Sequence, residues 1–350
     1  MKIAIVSDTP YQIFNAIRLA KYNVEFKNAE IDLFVGHQFF HSNELVERMK
    51  KYDIFENIYG FYPQKNVNRV HRIIETVNPK YGIRKLLKSY DSFPDFNYEL
   101  IFLSLISEMS LNLLLNNTNA RVYYYDDGSG SYSRRMKPTS IISKSNQLLY
   151  KLLGKNLDKI NIIGLYLNNP KMYNSDDFKT EELHKIDPEN RCDFEMIREI
   201  FEEGNPELYK NHKMIYLTDP DIADDYKVCN AIVEIADDVL VRPHPRTVDY
   251  NVYQGQVDYN PGMWEMISLE CINGDSVLVG GYSTAQFIPF FLFGKEPKLV
   301  FTYKLISTGF SDDLINSIES MIESIKGKYS DESKIIVINN YYELNMLAEI

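Results

Sequence analysis

Residues 2–22, "KIAIVSDTPYQIFNAIRLAKY", decide the fold. The apolar run "KIAIVS" is that of a strand buried on both faces, and Ser7, Asp8, Thr9 and Pro10 end it. From Tyr11 onward the apolar residues return at helical spacing. A strand that turns directly into a helix is the opening of a βα unit. The same alternation continues with strand "IDLFVG", helix "SNELVERMKKY", and strands "ELIFLS", "RVYYYD" and "INIIGLYL". A second series runs from helix "DFEMIREIFEE" through strands "KMIYLT", "DVLVRP", "SVLVGG" and "PKLVFT", with helices between them and "DDLINSIESMIESIKG" last. Strands alternating with helices predict an α/β protein with parallel sheets. At 350 residues the chain exceeds what one core normally serves, so two domains are expected. The polar stretch from Asn168 to Glu189 reads as the linker. The predicted fold is therefore two Rossmann-like domains, 1–178 and 179–350, facing across a cleft.

Composition narrows the function. A net charge of -11 argues against a nucleic-acid ligand, whose phosphates need a surplus of Lys and Arg. Cys192, Cys229 and Cys271 are scattered, without metal-site or redox spacing, which suits a reducing, cytoplasmic setting. The opening apolar run is too short for a signal-peptide core, and "LIFLSLISEMSLNLLL" is interrupted by Glu108 before it could span a bilayer. Cations in "GIRKLLKSY" leave open a peripheral contact with the inner face of a membrane. The many tyrosines and phenylalanines read as core, because they are interleaved with strand residues.

In doubly wound domains, ligands meet the carboxyl ends of the strands, so polar residues just after a strand are the candidates. Three segments qualify. "VYYYDDGSGSYSRR" (122–135) ends a strand on Asp126 and Asp127, either a turn or a carboxylate pair holding a general base; Arg134 and Arg135 also read as surface charges. Alternation puts the two carboxylates on opposite faces, so only one serves as base, and Asp126, nearer the strand, is favoured for rigidity. "VRPHPRT" (241–247) holds His244 between Pro243 and Pro245, with Arg242 and Arg246 as further donors to a phosphate. "VLVGGYSTAQF" (277–287) sets Ser283 and Thr284 at a helix start, which either caps the helix or binds an anion. Asp219 and Asp221 have the spacing of a DxD metal site, but Pro220 fits a helix start better, so no metal and no cofactor is expected. His37, His41, His71, His184 and His212 show no metal-ligand spacing.

In this order, an acidic pair followed by Gly, an HP pair and a Ser/Thr pair resemble the bacterial GT-B sialyltransferases, most closely the lipooligosaccharide and capsule sialyltransferases of glycosyltransferase family 52. "SDTPYQIFNAI" and "IYLTDPD" are similar to the strands opening that family's two domains. The resemblance implies inverting, metal-independent transfer of sialic acid from CMP-sialic acid to a galactose-terminated acceptor. It implies the base in Asp126 and Asp127 on the acceptor side, with His244, Ser283 and Thr284 on the donor phosphate. Arg242 and Pro245 belong to the same donor segment, and Glu265 matches by position the carboxylate that holds the ribose. Two other readings stay open: hexosyl transfer from another nucleotide sugar, and a sugar-nucleotide-binding protein without turnover. A homodimer also stays open.

Overall fold

The structure is a computed structural model that describes residues 1–37, 42–63, 69–87, 95–128, 130–133, 144–155, 157, 160–173, 177–185, 190–201, 204–219, 222, 224–236, 238–244, 246–247, 249–260, 262–306 and 312–349. It divides into two compact units, Met1–Asp187 and Pro188–Ile350.

In the first unit, β1 (Lys2–Ser7), β2 (Glu30–Gly36), β3 (Asn57–Phe61), β4 (Leu100–Leu103), β5 (Arg121–Tyr125), β6 (Asn161–Leu167) and β7 (Lys179–Glu182) form one sheet in the order β3-β2-β1-β4-β5-β6-β7. Every neighbouring pair is parallel. The crossovers contain α1 (Pro10–Tyr22), α2 (Ser42–Met49), α3 (Arg69–Val77), α4 (Pro79–Leu87), α5 (Glu108–Asn116), the single turn α6 (Gly130–Ser133) and α7 (Lys144–Leu152). The central strand β1 explains why its sequence is so apolar. Ile3, Ala4, Ile5 and Val6 are wholly buried, and burial of each larger aliphatic side chain contributes roughly 1.5–3 kcal/mol. Thr9 caps α1 by accepting from the Gln12 amide at 3.3 Å, and Pro10 occupies the first helical position.

The second unit repeats the plan. α8 (Arg191–Phe201) and α9 (Pro206–Lys210) precede β8 (Met214–Leu217), α10 (Asp225–Ile235), β9 (Val239–Arg242), β10 (Gln256–Val257), α11 (Trp264–Glu270), β11 (Val277–Gly280), α12 (Thr284–Phe293), β12 (Lys298–Phe301), α13 (Asp312–Lys326) and β13 (Ile335–Val337). The sheet order is β10-β9-β8-β11-β12-β13, again all parallel. In both sheets the order in which strands are added reverses beside the first strand, between β1 and β4 and between β8 and β11. Those are the positions where doubly wound folds bind ligands.

The break between units falls later than the expected boundary at 178/179. Part of the expected linker is regular structure, since Lys179–Glu182 pair with β6 as the edge strand. Arg18 of α1 fixes the following turn. Buried in the unit, it donates to the carbonyls of His184 (2.7 Å) and Leu183 (3.3 Å), to Asn15 Oδ1 (2.9 Å) and to Asn168 Oδ1. Burial lowers its pKa to about 10, so the guanidinium stays charged. Among the described residues no helix is long and apolar enough to cross a membrane.

Candidate active site

At the carboxyl end of β5, the two adjacent carboxylates have different environments. Asp126 is fully buried. Its Oδ1 accepts from the Tyr11 hydroxyl (3.1 Å) and the Gly128 amide (2.8 Å), and its Oδ2 accepts from the Tyr132 hydroxyl and the Asn168 amide (3.0 Å). Four donors fill the acceptor sites of a carboxylate. Its backbone carbonyl is taken by Asn15 Nδ2 at 3.0 Å. Asp126 therefore ties α1, the turn after β5 and the end of β6 together. The neighbouring Tyr132 hydroxyl is held well above its usual pKa by burial and by the Asp126 charge, so it remains a donor.

Asp127 is only partly buried. Its carboxylate accepts from Gln12 Nε2, while its own amide donates to Ser131 Oγ at 2.8 Å. Gln12 is itself wholly buried and accepts the Asp8 amide on its Oε1. Gly128, at φ 99°, takes the chain away in a conformation that a side chain would strain. This accounts for the glycine after the acidic pair. Tyr125 closes the site from beneath. Its hydroxyl donates to Val6 O (2.7 Å) and meets Ser7 Oγ (2.8 Å), so the ends of β1 and β5 are joined past β4. Arg134 and Arg135 lie outside the described residues.

In the second unit, His244 follows β9. Its backbone amide donates to Thr218 Oγ1 (2.8 Å) at the end of β8, and its Nδ1 accepts the Arg246 amide (3.1 Å). With Nδ1 an acceptor, the neutral ring carries its proton on Nε2 and is a hydrogen-bond donor there. Pro245 lies outside the described residues. Ser283 follows β11 and caps α12. Its Oγ accepts from Ala285 N (3.3 Å), and Gln286 Oε1 accepts Ser283 N (3.2 Å), completing a capping box with Thr284 as the first helical residue. β8 alone separates β9 from β11, strands about 10 Å apart, and His244 and the start of α12 follow them at the same end of the parallel sheet. Neither Gly280 nor Gly281 adopts positive φ. Gly280 is needed for proximity instead, since a Cβ there would lie 2.9 Å from Leu217 O.

Arg242 does not extend beside His244. The side chain is buried, donates to the Tyr209 hydroxyl (2.5 Å) and to Gly262 O, and lies 3.9 Å from Asp258. Its guanidinium stacks over Trp264, whose Nε1 donates to Ala285 O (2.7 Å) in the first turn of α12. These contacts link the His244 strand to the α12 start. Glu265 is buried in the first turn of α11, and burial raises its pKa to about 7. Asp219 of the DPD segment donates its amide to Asp225 Oδ2 (3.1 Å), while Pro220 and Asp221 lie outside the described residues. Asp225 also accepts from Tyr216 (2.8 Å), and burial raises its pKa to about 7.

Sequence reading missed Gln12, Thr218 and Asp8. Thr218 and Asp8 both follow a central strand, which was the available signal; nothing in the pattern marked a buried glutamine one turn into α1. His212 and His184 are used within the fold, His212 on Leu208 O (2.7 Å) and His184 stacked on Tyr22. His37 follows β2, meets Ser42 Oγ at 2.8 Å, and has its pKa lowered by burial. His41 and the side chain of His71 lie outside the described residues.

No family model and no curated protein matches the chain. Solved structures do. The spinosyn forosaminyltransferase SpnP is 11% identical with a TM-score of 0.52, over 100% of this chain and 89% of its own. The glycosyltransferase SnogD from Streptomyces nogalater is 8% identical with a TM-score of 0.53, over 100% and 95%. The chain has the GT-B fold. At such identities the likeness is one of architecture. It bears out the two Rossmann-like domains and says nothing specific of family 52.

Proposed function

We propose that the chain is a glycosyltransferase that takes its sugar from a nucleotide donor. The observation that carries this reading is the content of the two strand edges in a GT-B fold: a partly exposed carboxylate, Asp127, in the first unit, and His244 with a capped helix start in the second. Transfer from a nucleotide sugar breaks the bond between the anomeric carbon and the phosphate oxygen, and forms one to the acceptor oxygen. The acceptor's proton must go to a base, and the departing phosphate must be stabilised. In our reading Asp127 accepts that proton, held in place by Gln12. His244 donates through Nε2 to the phosphate, with the amides at the start of α12 directed at the same charge. Arg242 and Thr218 position these groups, and Glu265 holds the nucleotide ribose.

Within this class, a CMP-sialic acid donor and galactoside acceptor rest on the order of the DDG, HP and Ser/Thr motifs. Hexosyl transfer from a nucleoside-diphosphate sugar is a second reading, favoured by the fold neighbours, one of which is named a forosaminyltransferase. A donor series comprising CMP-sialic acid, UDP-sugars, GDP-sugars and TDP-sugars, read by nucleotide release with and without acceptor, separates the two. Release from CMP-sialic acid alone supports the sialyl reading. Release only from diphosphate donors replaces it with the hexosyl one.

A further inference from the structure

The paired helices α3 and α4 carry an outward face of unusual composition. Ile73 is 39% exposed, Ile74 43%, Val77 62% and Tyr81 44%. Ile73, Ile74 and Val77, at three- and four-residue spacing, share the outer side of α3 and Tyr81 is exposed on α4, while Thr76 of α3 and Pro79, Ile83 and Leu86 of α4 are buried. Packing does not explain the outer residues, because α4 already meets α5 closely through its other face. A Cβ on Gly82 would lie 2.4 Å from Asn112 Oδ1.

Charge is segregated in the same place. Across residues 69–87 the sequence has five Lys or Arg (Arg69, Arg72, Lys80, Arg84, Lys85) and one acid, Glu75, in a chain whose net charge is -11. Glu75 is buried and paired with Lys85 at 3.2 Å, so it offsets that cation alone and the segment has no other acid. Arg84 is exposed and Lys80 half-buried beside Tyr81. An apolar stripe bordered by cations fits a bilayer containing anionic lipid, where the apolar residues enter the headgroup boundary and the cations meet phosphates. A second copy of the chain fits poorly, since a two-fold contact would set the same cations against each other.

We propose that the outer face of α3 and α4 docks this protein on an anionic lipid surface. Co-sedimentation of the full chain with phosphatidylglycerol-containing and pure phosphatidylcholine vesicles tests it. The expected result is binding to the anionic vesicles that weakens as salt rises from 0.1 to 0.5 M, which shortens the screening length roughly twofold. The variants Ile74→Asp/Val77→Asp and Lys80→Glu/Arg84→Glu each lower that binding about tenfold or more, while thermal unfolding, which reports the fold, is nearly unchanged. Equal binding to both vesicle types, no binding, or undiminished binding by both folded variants overturns the proposal. So does a wild-type dimer that Ile74→Asp/Val77→Asp dissociates, because the face would then belong to a second copy.

Discussion

The buried side-chain amide of Gln12 spans from the backbone amide of Asp8 to the carboxylate of Asp127, accepting the first and donating to the second. With its oxygen committed to Asp8, the amide can present only its nitrogen to Asp127. The carboxylate is held in one orientation by a neutral donor, a suitable setting for a base.

Gln12→Glu replaces that donor with a second carboxylate. Like charges disfavour ionisation, so the pKa of Asp127 rises and the acidic limb of the kcat/KM profile moves to higher pH. A profile unchanged in position would show that Gln12 has no bearing on the base. Gln12→Leu removes the donor without adding charge, so it lowers kcat and moves the limb in the same direction but less than Gln12→Glu does.

Asp127→Asn and Asp126→Asn should separate chemistry from scaffold. At Asp127 the change removes proton acceptance, and turnover falls by ~10² to 10⁴ with donor affinity and melting temperature nearly kept. At Asp126 an amide nitrogen must face a backbone N–H, of Gly128 or of Asn168, and each buried donor left unpaired costs about 1–3 kcal/mol. Unfolding should therefore reveal Asp126→Asn as the less stable protein. A stable Asp126→Asn enzyme without turnover, beside an active Asp127→Asn, reverses the assignment.

Thr218→Val removes the acceptor for the His244 amide while keeping the shape of the side chain. The loop loses its fixed position, so KM for the donor should rise several-fold with a smaller change in kcat. His244→Ala removes the phosphate donor itself and lowers kcat strongly, since a charge-assisted hydrogen bond contributes about 1.5–3 kcal/mol. Equal donor kinetics in wild type and His244→Ala would exclude the residue from the reaction.

Glu265 gives a pH-dependent stability of definite sign. Its folded pKa, raised by burial to about 7, lies above its ordinary value of 4.5, so the folded state binds the extra proton between those values. Its contribution to stability is fully present below pH ~4.5 and is lost as pH rises to ~7, by on the order of 3 kcal/mol. Glu265→Gln cannot ionise, so its melting temperature relative to wild type should rise between pH 5 and pH 8. A constant difference across that range would mean that the carboxyl is not perturbed. Weaker donor binding by the same variant is the separate expectation for its ribose contact.

Much of the architecture was legible because most of the strands are buried on both faces and read as apolar runs. Lys179–Glu182 escaped notice for the opposite reason. As an edge strand, "KTEE" has no buried face to mark it, and only its pairing with β6 and the Arg18 contacts reveal it. Of the site, the positions of Asp126, His244 and Ser283 after strands followed from the strand-end rule, but their orientations did not. That Arg242 turns inward beneath Trp264, and that Asp126 rather than Asp127 is saturated with donors, depend on residues far away in the chain: Tyr11, Asn168, Tyr209 and Gly262. Local sequence carries no record of such pairings.

The most direct measurement of the central claim is nucleotide release by the purified chain across CMP-, UDP-, GDP- and TDP-linked sugars, with and without galactoside and other sugar acceptors. The account predicts acceptor-dependent release from at least one donor, accompanied by a glycosylated product and abolished or severely reduced by both Asp127→Asn and His244→Ala. Tight donor binding with no release under any acceptor, or release indifferent to both substitutions, would contradict it.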